Sequence, residues 1–362
     1  MYSFEPDGEQ LMLMDAVGKY AENDLRPAAH DLEENRDIPQ KLVEKGWELG
    51  LLQASIPEAY GGFGERSMVT NTLAVEEMAY GDLGGTLAVL APSLFATPIL
   101  LAGSEEQKKA YLPKIIGGEW RPFTAALMEM NFDFDATALK TTAILDAGGI
   151  TLEGEKRFVP YAQSAEAMLV YANLNGVTQG FIVQKDSPGL TIAEEREKLM
   201  GLNALPMHRV KFDGVTGERL GGAGGHDFES LISSMRISAA SAAVGVARSS
   251  FEYAKNYAKE RDAFGMKIAQ KQAIAFMLAE MATEIEAIRL LTWEAAWKMD
   301  NQKEDACTSA YLAHSGAIDM AMMVTDRGVQ IYGGHGYIRE NPVELLMRNA
   351  RGFATLLGLV LV

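Results

Sequence analysis

The chain has 362 residues, 48% of them hydrophobic and 23% charged, an ordinary balance for a globular protein long enough for two or three packed units. Asp and Glu outnumber Lys and Arg 49 to 33, and a net charge of −16 without a visible basic patch argues against a nucleic-acid partner and mainly aids solubility. A single cysteine, Cys307, excludes an intramolecular disulfide framework, and no CxxC or HExxH spacing offers a metal site.

The polar start MYSFEPDGEQ carries no targeting signal, and the apolar tail LLGLVLV is far short of the ~20 residues a membrane span needs. A cytoplasmic protein without a membrane span is therefore expected. Residues 7–118 read as helical. SMVTNTLAVEEMAYGD (67–82) combines good helix formers with apolar positions at three- and four-residue spacing, and PEAYGGFGE (57–65) is a glycine-rich break. EEQKKAYL (105–112) is amphipathic, with a stop expected at Pro113.

From about residue 119 short runs rich in β-branched and aromatic residues (RFVPY, AMLVYA, GFIVQ, HRVKFDG) are punctuated by Gly, Asn, Asp and Pro, which predicts a small, mostly antiparallel β domain ending near residue 220. GGAGGHD (221–227) is the clearest linker. Beyond it, 231–261, 272–299, 303–332 and 342–357 have helical character. Ile274, Leu278, Met281, Ile285 and Ile288 draw one apolar stripe along the second of these. The expected fold class is α+β: an N-terminal helical domain (1–118), a middle antiparallel β domain (119–225) and a C-terminal four-helix bundle (226–362).

Two stretches carry candidate chemistry. YAKERDAFGMKIAQKQ (257–272) places Arg261, Phe264 and Gln272 around a helix–helix corner. A guanidinium there suits a pyrophosphate, Phe264 a flat ring, and Gln272 offers both donor and acceptor. The alternative is an Arg261 paired with a nearby acid on a solvated face. QIYGGHGY (330–337) lets a ligand approach the backbone at Gly333 and Gly334, one turn beyond Gln330, although the same glycines suit a simple helix stop.

These two stretches resemble the C-terminal signatures of the acyl-CoA dehydrogenase family. RDAFGMKIAQKQAIAFMLAEM is similar to its Arg-x-x-Phe-Gly corner and following Gln, and QIYGGHGYIRENPVELLMRNAR to its Gln-x-x-Gly-Gly-x-Gly-Tyr turn and Pro-Val-Glu helix. GSEEQKKAYLPKIIGGEW and PEAYGGFGE resemble its N-domain elements, so the likeness runs from about residue 5 to 351. The resemblance implies FAD held across a subunit interface, its ring on one subunit's β domain and its ADP half on the partner's bundle. It also implies a C-terminal glutamate as the base, and transfer of electrons to an electron-transfer flavoprotein.

Set against that pattern, Arg261, Phe264, Gln272, Gln330, Gly333 and Gly334 match the half that serves a neighbour's flavin. The chain's own ring-facing half departs from it. LMEMNFDFD (127–135) puts Met128 in place of a hydroxyl and Phe134 in place of a serine. FVPY (158–161) puts Phe158 in place of a tryptophan and Pro160 in place of a threonine. Leu357 falls where the catalytic glutamate is usual, and Met235, beside Arg236, where some members carry the base instead. No catalytic residue is expected in this chain.

The reading is a subunit of a heteromeric (α2β2) acyl-CoA dehydrogenase, as the family builds for bulky thioesters such as steroid side-chain CoAs. It lends an FAD half-site to a catalytic partner, and its apolar tail fills its own vacated site. The alternatives are a self-sufficient homo-oligomeric flavoenzyme using another acid (Asp133, Asp135 or Glu129), or a flavin-free structural paralogue.

Overall fold

A computed structural model of the protein describes residues 4–146, 149–353 and 357–362. Eight α-helices come first: α1 (Gly8–Tyr20), α2 (Arg26–Asn35), α3 (Gln40–Trp47), α4 (Leu51–Ala54), α5 (Met68–Gly81), α6 (Leu83–Val89), α7 (Ser93–Ala102) and α8 (Glu105–Ile116). Strands β1 (Thr124–Ala126), β2 (Thr142–Asp146), β3 (Gly149–Pro160), β4 (Ala167–Leu174), β5 (Val177–Gln184), β6 (Leu190–Arg196), β7 (Met207–Thr216) and β8 (Glu218–Arg219) follow. Helix α9 (Phe228–Glu260), a minimal hairpin β9 (Asp262–Ala263) and β10 (Met266–Lys267), and helices α10 (Gln272–Asp300), α11 (Ala306–Tyr332) and α12 (Pro342–Gly352) complete the chain. The expected helical, β and helical-bundle order is what the structure shows.

A side-chain cap starts helix α5: the Ser67 side chain accepts from the Thr70 N–H. Its central residues are almost all buried, because it is sandwiched between the N-terminal helices and the bundle. Glu76 makes that junction specific: buried, it accepts from Arg248 on α9 (2.8 Å) and Arg289 on α10 (2.9 Å). Pro113 does not end α8, which continues to Ile116. Burial of Leu112, Ile115 and Ile116 outweighs the one main-chain bond the proline forgoes, and only a single turn follows it.

The middle sheet runs β6-β7-β3-β2-β4-β5-β8, with β1 alongside β4. Its ladders are antiparallel except β1–β4 and β2–β4. Strand β7 buries Val210, Phe212 and Val215 in a second apolar core of the sheet, while Met207 at its start joins the main core. A bulge interrupts the β3–β7 ladder between Lys156 and Val159, and Phe158 lies in it at φ 55°.

In the bundle α9 packs on α10, α11 and α12 and also against α5. Met281, Ile285 and Ile288 of the α10 stripe are buried and Ile274 and Leu278 half-buried, as the spacing predicts. Helix α9 is long and apolar enough to cross a membrane, but 89% of that window is buried inside the protein, the pattern of a core helix. The fourth helix is shorter than expected. It ends at Gly352 instead of 357; residues 354–356 lie outside the described ones, and Leu357 is not helical.

Candidate functional site

The Arg261 corner is built by the hairpin that joins α9 to α10. Its two turn residues, Phe264 (φ 54°) and Gly265 (φ 81°), both adopt left-handed backbone, as a tight two-residue hairpin requires. Glycine does so freely, whereas phenylalanine is strained there, by about 1 kcal/mol or more. The strain goes with an unusual display: the Phe264 ring is 94% exposed, with the Lys271 ammonium 5.3 Å from its centre. The Ile268 N–H donates to the Arg261 carbonyl and the Arg261 N–H to that of Tyr257, which fixes the corner's backbone. The Arg261 side chain is exposed and forms no ion pair among the described residues. The alternative of a surface salt bridge is not what the structure shows.

The glycine turn stands beside this corner. Tyr257, one turn before Arg261, stacks on Tyr332 at the end of α11 (4.1 Å between ring centres), and its hydroxyl approaches His335 Nδ1 at 3.4 Å. Gln330, Gly333 and Gly334 are exposed, and the space where either glycine's Cβ would sit is open. The stack thus gathers the two motifs at one end of the bundle, with Gln272 opening the adjacent helix. The six residues form an open surface on the single chain, with an uncompensated guanidinium, bare backbone and a displayed ring. Such a set can bind a phosphate-bearing, planar ligand only against something that closes over it.

The opposite half lies between the sheet and the bundle, and it is closed. Met128 is buried, and Phe134 and Phe158 are half-buried against the main core. The depression beside Phe158, floored by Leu199–Leu202 and Arg348, measures about 120 Å³. Typical ligand pockets hold ~300 Å³ or more. Met235 is buried and Leu357 half-buried, and neither can take a proton.

After Leu357 the chain enters the interior without regular structure, and Leu359, Val360, Leu361 and Val362 are all at most 7% exposed. Gly358 (φ 79°) rests so close to Leu127 that an added Cβ would lie 2.7 Å from its side chain. At the far end Ser238 Oγ on α9 accepts from the Val362 N–H (3.3 Å). Arg66 donates through Nε and Nη2 to the Val362 oxygen (3.1 and 2.6 Å). The cavity that remains beside Val362, between α4, α5 and α7, is about 10 Å³, at the lower limit for one water.

The acids that could replace a missing base are occupied. Glu129 accepts from Lys156 Nζ (2.7 Å) and from the main-chain N–H groups of Thr141 and Lys140 (2.8 Å each). Burial pushes its carboxyl up, but Lys156 and these donors outweigh that and hold it below the ordinary carboxylate range. Asp135 accepts from the N–H and hydroxyl of Thr137, and Asp133 is exposed beside Asn131 and Lys140; hydrogen bonding holds both below their usual value. None is poised to accept a proton near neutrality.

Sequence reasoning missed three residues that shape this region. Lys156 is wholly buried and bonds both Leu127 O and Glu129. Arg66 and Ser238 hold the tail. A lysine in a strand and a serine in a helix carry no local signal of such roles.

This three-part architecture, with its exposed Arg-Phe-Gly corner and Gly-Gly turn, defines a protein of the acyl-CoA dehydrogenase class. The family models for the N-terminal, middle and C-terminal acyl-CoA dehydrogenase domains match residues 7–119, 124–215 and 222–359. The chain belongs to the acyl-CoA dehydrogenase family of flavin-dependent oxidoreductases. It is 35% identical over 355 residues to an acyl-CoA dehydrogenase of Bacillus subtilis, covering 95% of this chain and 92% of that one. Its structure is similar to butyryl-CoA dehydrogenase from Megasphaera elsdenii (TM-score 0.87, 30% identity, 98% of this chain and 95% of that one). It is also similar to a chain in a structure of the electron transferring flavoprotein of Acidaminococcus fermentans (TM-score 0.86, 33% identity, 97% and 94%).

Proposed function

We propose that this chain is the supporting subunit of a heteromeric FAD-dependent acyl-CoA dehydrogenase. One observation carries the reading: the residues that would grip a neighbour's FAD are displayed, with Arg261 in no ion pair among the described residues, while the region that would seat this chain's own flavin ring is filled. Arg261, Phe264, Gln272, Gln330, Gly333 and Gly334 fit the ADP half of FAD, as a charge-assisted clamp, a flat ring and open backbone. Met128, Phe134, Phe158 and the segment Leu357–Val362 do not fit an isoalloxazine. Bound FAD supplies the hydride acceptor for α,β-dehydrogenation of an acyl-CoA thioester. This chain's residues position that cofactor for a partner and contribute no base.

The bundle supports an assembly. Phe276, Leu290 and Leu291 on α10 and Tyr311 and Leu312 on α11 are exposed apolar side chains on the domain that bears the half-site. An α2β2 complex with a catalytic acyl-CoA dehydrogenase chain, passing electrons to an electron-transfer flavoprotein, is the assembly this reading calls for.

The test is flavin absorbance and subunit mass for the chain alone and co-expressed with candidate partners. The chain alone should be colourless and the complex yellow, at about half a flavin per chain. Arg261→Ala should weaken FAD retention by the complex ~10-fold or more, the worth of a charged hydrogen bond. A yellow homo-oligomer of this chain, or unchanged retention in the variant, sinks the reading.

A further inference from the structure

Four cations share one groove on the β domain, and none of them is in an ion pair among the described residues. Arg36 at the end of α2, with Arg196 and Lys198 at the end of β6, lines an open hollow of about 460 Å³ that holds one acid, Glu195. Arg209 on β7 extends it into a second hollow of about 310 Å³, which Arg196 and Lys198 also line. There the Arg157 guanidinium donates through Nε and Nη2 to the two oxygens of Glu197 (2.5 and 2.7 Å), so that pair neutralises itself. A net positive groove is left on a chain of net charge −16.

The backbone around the groove is built to present these side chains. Arg36 caps α2 in left-handed backbone (φ 55°, ψ 39°), a position that glycine fills at no steric cost. An arginine is strained there. Its carbonyl accepts from Arg196 Nη1, while its own side chain stands exposed. On the facing strands the β6–β7 ladder is broken between Ile192 and Arg196, and the β3–β7 ladder between Lys156 and Val159. Such irregularities re-aim side chains. The first is firmly held: the Ala193 carbonyl accepts from buried His208 Nδ1 (2.9 Å) and from Gln163 Nε2 (3.0 Å), and the Glu197 N–H donates to the Met207 carbonyl (2.8 Å). The strand end that carries Arg196 and Lys198 is therefore fixed before any ligand arrives.

We infer that this groove binds a small anion carrying two linked phosphates. Guanidinium forks match phosphate oxygens in geometry and charge, and two hollows meeting at Arg196 give each phosphoryl group its own cations. Among the described residues no aromatic side chain lines either hollow, so nothing there reads a base or a ring. The diphosphate itself is what is recognised, whether free or at the end of a nucleotide. The groove shares no residue with the Arg261 corner and the inference does not depend on where flavin binds, so the two readings fail separately.

The test uses the full chain carrying Arg261→Ala, which removes the FAD half-site as a competing phosphate clamp, in calorimetry at about 0.15 M salt. Pyrophosphate should bind, and ADP with an affinity within about tenfold of it. Adding Arg36→Gly should weaken pyrophosphate about tenfold or more, the worth of a charge-assisted bond, yet melt no lower, because glycine relieves the left-handed strain. Loss of binding without loss of stability is what a merely structural Arg36 would not give. If Arg36→Gly melts lower or does not fold, Arg209→Gln decides instead: it changes an exposed side chain and should weaken binding by a similar factor. Lys109→Gln removes an exposed charge on α8 outside the groove and should change nothing. Four results overturn the inference: no binding of pyrophosphate, binding unchanged in the groove variants, equal weakening by Lys109→Gln, or ADP differing from pyrophosphate by more than about tenfold.

Discussion

Lys156→Met is the most discriminating single change for the wall on which the tail rests. Lys156 is wholly buried on β3, and its Nζ bonds Leu127 O at 3.0 Å and Glu129 Oε1 at 2.7 Å. Burial lowers its pKa to about 8, Glu129 opposing the shift. The pair is itself a small net contributor, because desolvation of both ions offsets most of their attraction. Removing the cation alone is another matter. Glu129 then keeps only the Thr141 and Lys140 N–H groups, and an uncompensated buried carboxylate costs about 3–5 kcal/mol. Without Lys156 burial raises the Glu129 pKa above its unfolded value, so folded Glu129 takes up a proton more readily than unfolded. The deficit should therefore be largest at neutral pH and above, and shrink as pH falls toward the ordinary carboxylate range. Urea unfolding at several pH values reads this directly, with Lys156→Met/Glu129→Gln as the control that should recover most of the loss. A single variant within about 1 kcal/mol of the parent, or a double variant no better than the single, would refute the reasoning.

Leu361→Ala removes a fully buried side chain and should destabilise by ~2–5 kcal/mol in urea unfolding, because the surrounding helices cannot collapse onto the space. Leu357→Glu should leave the chain expressed alone inactive toward acyl-CoA thioesters in a dye-reduction assay. A base is worth ~10²–10⁴-fold only where substrate can reach it, and the interior beyond position 357 is filled. His314 is pushed down to about 4 by burial and then by the Arg236 charge. Its folded pKa lies below the unfolded value, so its contribution is present above about pH 6.5 and lost as pH falls toward 4. That amounts to about 3 kcal/mol, and unfolding of His314→Gln should show a correspondingly weaker acid dependence.

Much of the architecture was legible because its signals are local. The 4-3-4-3 spacing from Ile274 to Ile288 faces the core, and the glycine-punctuated β-branched runs form the sheet. Both patterns report which side of an element meets water. Pro113 misled because a proline's cost is local while the burial of Leu112, Ile115 and Ile116 that overcomes it is tertiary. The length of α12 misled as well: apolar residues after Gly352 suit a helix locally, but whether they continue one is a tertiary matter, and Leu357 and the buried Leu359–Val362 are not helical.

The sequence by itself determined the order of the three units, the exposed corner at Arg261 and Phe264, and the absence of an acid at Leu357 and Met235. Each is a matter of residue identity at a position or of periodicity along one element. Only the tertiary structure decided that Arg261 forms no ion pair among the described residues, that Tyr257 on Tyr332 gathers the two glycine-bearing motifs, that Glu129 is held by Lys156, and that Arg66 and Ser238 hold the tail. These depend on contacts between residues as many as 296 positions apart, and no local pattern encodes which distant partner a charge or a methyl group will meet once the chain has packed.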